Sequence, residues 1–276
     1  MIRDSAVALV ALVALLAVPA VARAQTQAAD DPDRDLQVVV EEPDFTLGVL
    51  PTTLRMPQGK MTFRVTHRFT YAINDGSFGE FFENFFGLDS SATTGFELRY
   101  GLIPGTQLTI HRTGSRNIQF LAQHQLIEQV RGGPVTLDLV GGIEGQNNFR
   151  EEFSLVAGGV VSRRLTDRGA LYVEPIVVLN ATPELPASDR NTFVLGLGAR
   201  IRVVSRTYLI AEFAPRVAGY DAGTSVVTIG IEKRRGGHMF QVNVSNAFGT
   251  TLTQVGHGGP ARKNWHLGFN LTRKFF

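Results

Sequence analysis

The sequence predicts an all-β protein: a transmembrane, antiparallel, up-and-down β-barrel of about twelve strands. Three observations predict it. The chain opens on an export-like segment, its body alternates apolar and polar residues with a period of two, and the links between segments are alternately brief and long.

The opening segment comes first in the argument because it sets the compartment. Arg3 supplies a positive charge, Ala6 to Val18 is an unbroken apolar run, and Pro19 ends it. Ala22-Arg23-Ala24 then gives the small-x-small pattern that a signal peptidase reads, so cleavage is expected after Ala24. As a membrane-spanning helix the thirteen-residue run is too short, since at 1.5 Å per residue it reaches about 20 Å of a ~30 Å hydrocarbon core. Residues 1–24 are therefore read as a signal peptide and the mature chain as exported.

Composition narrows what the exported chain is. There is no cysteine, which excludes an acylated lipoprotein, a disulfide framework and a thiolate metal site. Without residues 1–24 the basic and acidic residues nearly balance, so nothing in the charge calls for nucleic acid. Glycine (29) and phenylalanine (19) are plentiful, and the mature part holds no apolar run long enough for a spanning helix. A closed sheet is the other structure that satisfies every backbone hydrogen bond in lipid.

Residues 25–59 stand apart. Asp30-Asp31-Pro32-Asp33-Arg34-Asp35 is charged and loop-like, Val38-Val39-Val40 is an apolar island, and Pro43, Pro51 and Pro57 punctuate the rest. This stretch reads as a periplasmic leader that lies under the barrel or partly enters it. The barrel itself is placed at 60–276.

From Lys60 the two-residue period takes over. Phe63, Val65, Phe69 and Tyr71 alternate with Arg64, Thr66, Arg68 and Thr70, so one face of the first strand is apolar and the other carries arginine. Similar alternation runs through Phe96–Tyr100, Gln107–His111, Val135–Glu144, Thr192–Val203, Phe240–Ser245 and Trp265–Thr272. Five further segments complete twelve: Asn117–Glu128, Phe153–Leu165, Ala170–Leu179, Thr207–Arg216 and Ser225–Arg234. The phase is ambiguous in the first and fourth of these. Pro175 falls inside the third, where the lost ladder bond suggests a bulge.

The links give an independent check. Those after the even-numbered strands are brief (Pro104-Gly105, Arg131-Gly132-Gly133, Asp167-Arg168-Gly169, Ser205-Arg206, Arg235-Gly236-Gly237). Those after the odd-numbered strands are mostly longer, Ala72–Ala92 and Asn246–Asn264 most of all, with the one near Ser115 short. That asymmetry is the habit of outer-membrane barrels. A soluble sandwich has no use for it, and would need the apolar faces buried against a second sheet.

Candidate functional residues follow from the geometry of a narrow bore. Arg64, Arg68, Glu97, Arg99, Asp138, Glu144, Glu174, Arg200, Arg202 and Glu232 fall on the polar face and are expected to line the lumen, either around a small aqueous passage or paired with one another. In the first long loop Phe78, Phe81, Phe82, Phe85 and Phe86 have the spacing of one face of a short helix, which fits either a rim or interface helix or a constriction in the pore. Phe275-Phe276 reads as the aromatic signal recognised by the outer-membrane insertion machinery, although Phe275 rather than Phe276 is in phase with Trp265, Leu267, Phe269 and Leu271.

Catalysis has little support. A lipid-facing hydrolase needs a serine and a histidine together on the outer face. His67 and His124 read as outward without such a serine, His111 and His266 as lumenal, and no histidine pair has metal-ligand spacing. His257 and Asp221, in outer loops, are the remaining pair for hydrolytic chemistry. No catalytic, cofactor or metal residues are assigned.

Pro57-Gln58-Gly59-Lys60 leading into Thr66-His67-Arg68-Phe69, then Phe86-Gly87-Leu88-Asp89-Ser90, Arg99-Tyr100-Gly101-Leu102 and Gly236-Gly237-His238-Met239-Phe240-Gln241, resembles a bacterial outer-membrane β-barrel family of unknown function. The resemblance runs from about Leu54 to Phe276. It implies an exported barrel with no established activity, and so carries no functional residue. The expected role is a narrow passive pore for small solutes, with outer-membrane lipid and the insertion machinery as partners. A closed structural or docking barrel that binds a protein through its leader or loops is the alternative, and an outer-membrane hydrolase the remote one.

Overall fold

The structure is a computed structural model that describes residues 39–74, 79–80, 91–129, 133–165, 167–186, 189–219, 224–259 and 264–276. The expected signal segment with its Ala24 site, Phe78, Phe81, Phe82, Phe85 and Phe86, and Asp221 lie outside the described residues.

The chain forms a closed antiparallel barrel of twelve strands. In chain order the segments are β1 (Met61–Ala72), β2 (Ala92–Ile103), β3 (Thr106–Thr113), β4 (Ile118–Ile127), β5 (Thr136–Gly145), β6 (Glu151–Leu165) and β7 (Gly169–Leu179). They continue as β8 (Thr192–Val204), β9 (Thr207–Ala214), β10 (Arg216–Gly219), β11 (Val226–Arg235), β12 (His238–Ser245) and β13 (His266–Lys274). β9 and β10 are two pieces of one strand, parted at Pro215, and both pair with β8. Each strand otherwise pairs with its sequence neighbours, and β1 closes the ring on β13 from Thr62↔Lys274 to Ala72↔His266.

Period-two sequence becomes two-sided structure as the alternation requires. Phe96, Leu98 and Tyr100 on β2 point outward and are exposed, whereas Glu97 and Arg99 between them are buried. The same division holds for Leu209 and Phe213 against Tyr208 and Glu212 on β9, and for Ile229 and Ile231 against Thr228 and Glu232 on β11. On a water-soluble protein so continuous an apolar exterior would be a liability; in hydrocarbon it is the stable arrangement.

Two segments of uncertain phase are settled by the burial pattern. On β4, Gln119 and Gln123 face in and Phe120 and His124 face out. On β9, Glu212 faces in. Pro175 makes no bulge: it points outward, and the β6–β7 register is the same on both sides of it, Gly158↔Ile176 and Val161↔Val173. The missing N–H costs a bond and leaves the frame intact. Where a tight reversal is needed, Gly105 supplies it at φ 80° between β2 and β3.

A charge on the outer face should show how firmly that face is committed to lipid. Ile229 is 55% exposed in the middle of β11. Ile229→Arg is expected to destabilise the folded barrel by about 2–4 kcal/mol if it lies near the bilayer midplane, read by denaturant unfolding in lipid vesicles. An unchanged unfolding midpoint would contradict the placement.

Candidate functional site

The expected pore lining does face inward, but it does not surround water. Residues 39–59 rise into the bore from the short-turn end and return, folded on themselves. Leu47 N–H donates to Leu50 O (2.8 Å), Thr52 N–H to Phe45 O (2.9 Å), and Thr46 bridges Pro51. The result is a narrow hairpin whose tip, Leu47–Leu50, is buried inside the cylinder. The described part of the leader, 39–59, thus enters and fills the bore, the second of the two placements expected from the sequence.

A hairpin without a neighbouring strand leaves its peptide groups unpaired, and burying them unpaired is costly. The wall supplies the partners. Glu212 accepts from the backbone N–H groups of Gly48 (3.1 Å), Val49 (3.0 Å) and Leu50 (3.1 Å). Gly48 O accepts from Arg64 Nη2 and from Asn270 Nδ2 (3.2 Å), and Leu47 O accepts from Gln241 Nε2 (2.9 Å). Arg200 is the anchor lower down: Nη1 donates to Asp44 O (3.1 Å) and Nη2 to Thr46 O (2.6 Å). Its other donors grip Glu232 in a fork, Nε to Oε2 at 2.8 Å and Nη2 to Oε1 at 3.0 Å. Nearer the short-turn end Thr272 Oγ1 donates to Asp44, Arg164 Nε donates to Glu42 (2.9 Å), and Gln107 Oε1 accepts from Met56 N–H.

Apolar packing completes the seal. Between the polar anchors, the inner face of β5–β9 also carries apolar side chains: Val140, Val156, Val160, Tyr172, Ile176, Val178, Val194 and Ile210 form one cluster with Leu47, Val49 and Leu50. Gly196 and Gly198 make the dimples that receive the two leucines. A Cβ at Gly196 would lie 3.1 Å from Leu50, and one at Gly198 would collide with Leu47. At the base Phe45, Leu54 and Met56 pack with Phe276, and Lys274 lies over the rings of Phe45 and Phe276. This accounts for the phase of the last two residues: Phe275 points to the lipid face, 51% exposed, while Phe276 turns in under the hairpin.

The opposite end is closed by residues 246–259, the described first part of the connection that follows β12. Helix α1 (Leu252–His257) is capped by Thr251, whose side chain accepts from Gln254 N–H, and it inserts Leu252 and Val255 into the same apolar cluster. Thr253 Oγ1 accepts from Gln119 Nε2 (3.0 Å). His257 ends the helix; burial holds its imidazole below the ordinary range, with Arg216 adding to the effect and Glu184 opposing it. Arg216 donates to His257 O.

The remaining lining residues fall into local networks. Glu97 accepts from Arg99 (Nη2 3.0 Å) and pairs with Arg64 at 3.5 Å across the β1–β2 ladder. Asp138 accepts from Gln123 (2.7 Å), and Glu144 from Asn117 (2.7 Å) and Gln119 (3.0 Å). Arg202 sits at the short-turn rim, paired with Asp167 at 2.7 Å. Arg68 donates to Asn270 (2.9 Å). Glu174 is fully buried and neither of its oxygens has a partner. Of the residues that hold the hairpin, sequence reasoning picked out Arg64, Arg200 and Glu232 and missed Glu212, Gln241 and Asn270. The last two were visible as polar-face residues, but their lack of charge hid their importance.

Residues 45–275 match a family described as a membrane bound beta barrel domain (DUF5777). The chain belongs to this family. The matched span takes in the hairpin tip as well as the strands. No curated protein matches the sequence. Among solved structures the chain is similar to an outer membrane channel from Pseudomonas putida F1, at 11% identity and TM-score 0.47, covering 81% of this chain and 98% of that one. LpxR from Salmonella typhimurium aligns at 10% identity and TM-score 0.38, covering 79% and 100%. A mutant Rhodopseudomonas blastica porin aligns at 11% identity and TM-score 0.37, covering 66% of this chain and only 55% of the porin.

The hairpin's dependence on one carboxylate is testable. Glu212→Gln halves the acceptor capacity facing three N–H groups and removes the charge. Hydrogen exchange at Gly48, Val49 and Leu50 should accelerate by roughly 10- to 100-fold, the effect of a lost charged hydrogen bond of about 1.5–3 kcal/mol. Exchange in β2 and β3 should stay unchanged. Equal protection of the three amides in both proteins would contradict the assignment.

Proposed function

We propose that the protein is an outer-membrane channel for small solutes that is gated by its own leader, in place of the passive pore that sidedness alone suggests. The observation that carries this reading is the hairpin tip held at the centre of the bore by Glu212, Arg64, Asn270 and Gln241. These contacts are polar and exchangeable with water, unlike the continuous backbone ladder that joins the wall strands. With the hairpin withdrawn, the half of the bore formed by β1–β4 and β11–β13 presents Arg64, Arg68, Glu97, Arg99, Gln107, Gln123, Gln241 and Asn270, a lining suited to small hydrophilic solutes. The apolar cluster on β5–β9 supplies the surface on which the leucines reseat.

The same filled bore suits a permanently closed structural barrel, the rival reading. Residues 39–59, taken up by the wall, are then unavailable as a docking arm, and a periplasmic partner is left with residues 25–38 and the loops. Export by the 1–24 signal and insertion through the Phe275-Phe276 end belong to the same proposal.

Planar-bilayer recording separates gate from fixed filling. The full chain is expected to show rare, discrete openings; permanent silence would support the fixed filling. A variant lacking 39–56 with 249–258 replaced by a short Gly-Ser link, checked for heat-modifiable migration, is expected to give steady ohmic conductance. A folded variant of this kind that stays silent would refute the channel. Steady conductance from the full chain would refute the gate.

A further inference from the structure

We infer that the bore contains a binding site for a small inorganic anion, formed by Arg68, Thr66, His111 and Thr250. The proposal is independent of whether solutes cross the barrel.

Three polar side chains from three separate segments meet over Gly95, and Arg68 flanks them, its Cδ over Gly268 on the β13 side of β1. Thr66 on β1 stands opposite Gly95 on β2 in the register. An ideal Cβ on Gly95 would lie 2.5 Å from Thr66 Oγ1, 2.5 Å from His111 Nε2 on β3, and 3.3 Å from Thr250 Oγ1 in the connection that precedes α1. All three atoms are buried and none has a hydrogen-bond partner. Arg68, two residues along the same face of β1, is fully buried; its Nη1 is used by Asn270 Oδ1 and His67 O, while Nε and Nη2 have no partner. Arg64, two residues the other way, leaves its Nε unpartnered as well.

Such a concentration of idle donors is unusual, because buried polar groups are nearly always satisfied. The charges around it identify the missing partner. Arg64, Arg68 and Arg99 face this part of the bore, and Glu97 is shared by Arg99 and Arg64. Glu212 is committed to the hairpin's three N–H groups. Arg68 makes no ion pair among the described residues. Asn243 Oδ1, beside the Arg68 Cδ over Gly268 and itself unpartnered, offers one neutral acceptor against this set of donors. His111 Nδ1 lies 3.8 Å from Glu97, too far for a hydrogen bond to fix the tautomer, so Nε2 is free to carry the ring proton.

The crowding over Gly95, two side-chain atoms within 2.5 Å of the position of a Cβ, restricts the ligand to a halide or a single small oxyanion seated on the bore side of the cluster, between it and Arg68. Because Thr250 belongs to the connection that enters the bore, an anion here ties that connection to the β1–β3 wall.

Crystals of the full chain grown in sodium bromide test the site directly, alongside thermal unfolding in detergent titrated with bromide and with phosphate at constant ionic strength. The expected result is an anomalous peak between Arg68 and the cluster of Thr66, His111 and Thr250, with an unfolding midpoint that rises and saturates with one or both anions. Arg68→Gln should weaken the apparent affinity about tenfold or more, as loss of a charge-assisted bond predicts. Thr250→Val, which leaves the wall intact, should weaken it more modestly and guards against a folding defect in the arginine variant. No peak and no rise, or a rise identical in both variants, overturns the site.

Discussion

A twelve-strand cylinder encloses more volume than its inward side chains fill, and the interior of this protein is governed by how that volume is occupied. Small eight-strand barrels close their bore with side chains alone. Here a hairpin of the chain's own leader takes the space, and once backbone is buried, its N–H and C=O groups must be satisfied. Glu212 and Arg200 meet that requirement from the wall, one by accepting three N–H groups and the other by donating to two carbonyls. Arg200 is in turn fixed by the Glu232 fork, so the charge inside the bore is neutralised as it is used. A buried pair of this kind adds little net stability compared with an apolar filling. What it does provide is a single seat for the hairpin.

The two halves of the bore divide the labour. On β5–β9 the inner face carries an apolar cluster that receives Leu47, Leu50, Leu252 and Val255, with Arg200 and Glu212 set among it as the polar anchors of the hairpin. On β1–β4 and β11–β13 it is mainly polar, and Arg64, Gln241 and Asn270 there receive the carbonyls of the tip. The lipid face is apolar all the way round, so β6 and β7 are apolar on both faces where they meet the hairpin and α1.

The exterior was legible in the sequence and the interior only partly so. Alternation placed Phe96, Leu98, Phe240 and Phe269 toward lipid, because the lipid face imposes one rule on every strand. The bore imposes no such rule, since each inward residue answers to whatever lies opposite. The apolar runs Leu155–Val161 and Ile176–Leu179 blurred the alternation for a physical reason: strands buried on both sides read as continuous apolar runs. Gly196 and Gly198 on an inward face are the sequence mark of a close approach by another chain segment, a mark passed over in reading the sequence. Glu212 was hidden by the ambiguous phase of its strand. The turn-in of Phe276 could not be read without the leader in place.

The central claim is that the leader occupies the bore against the β8 wall. The chain has no cysteine, so a pair introduced at Leu50 and Gly196 stands alone, with a side chain of Leu50 3.1 Å from the position a Cβ on Gly196 would take. In membrane-embedded protein, a short thiol cross-linker should join residues 50 and 196 as readily as it joins Thr228→Cys to Ser245→Cys, neighbours on paired strands. Failure to recover the 50–196 link while the strand pair links in full would contradict it.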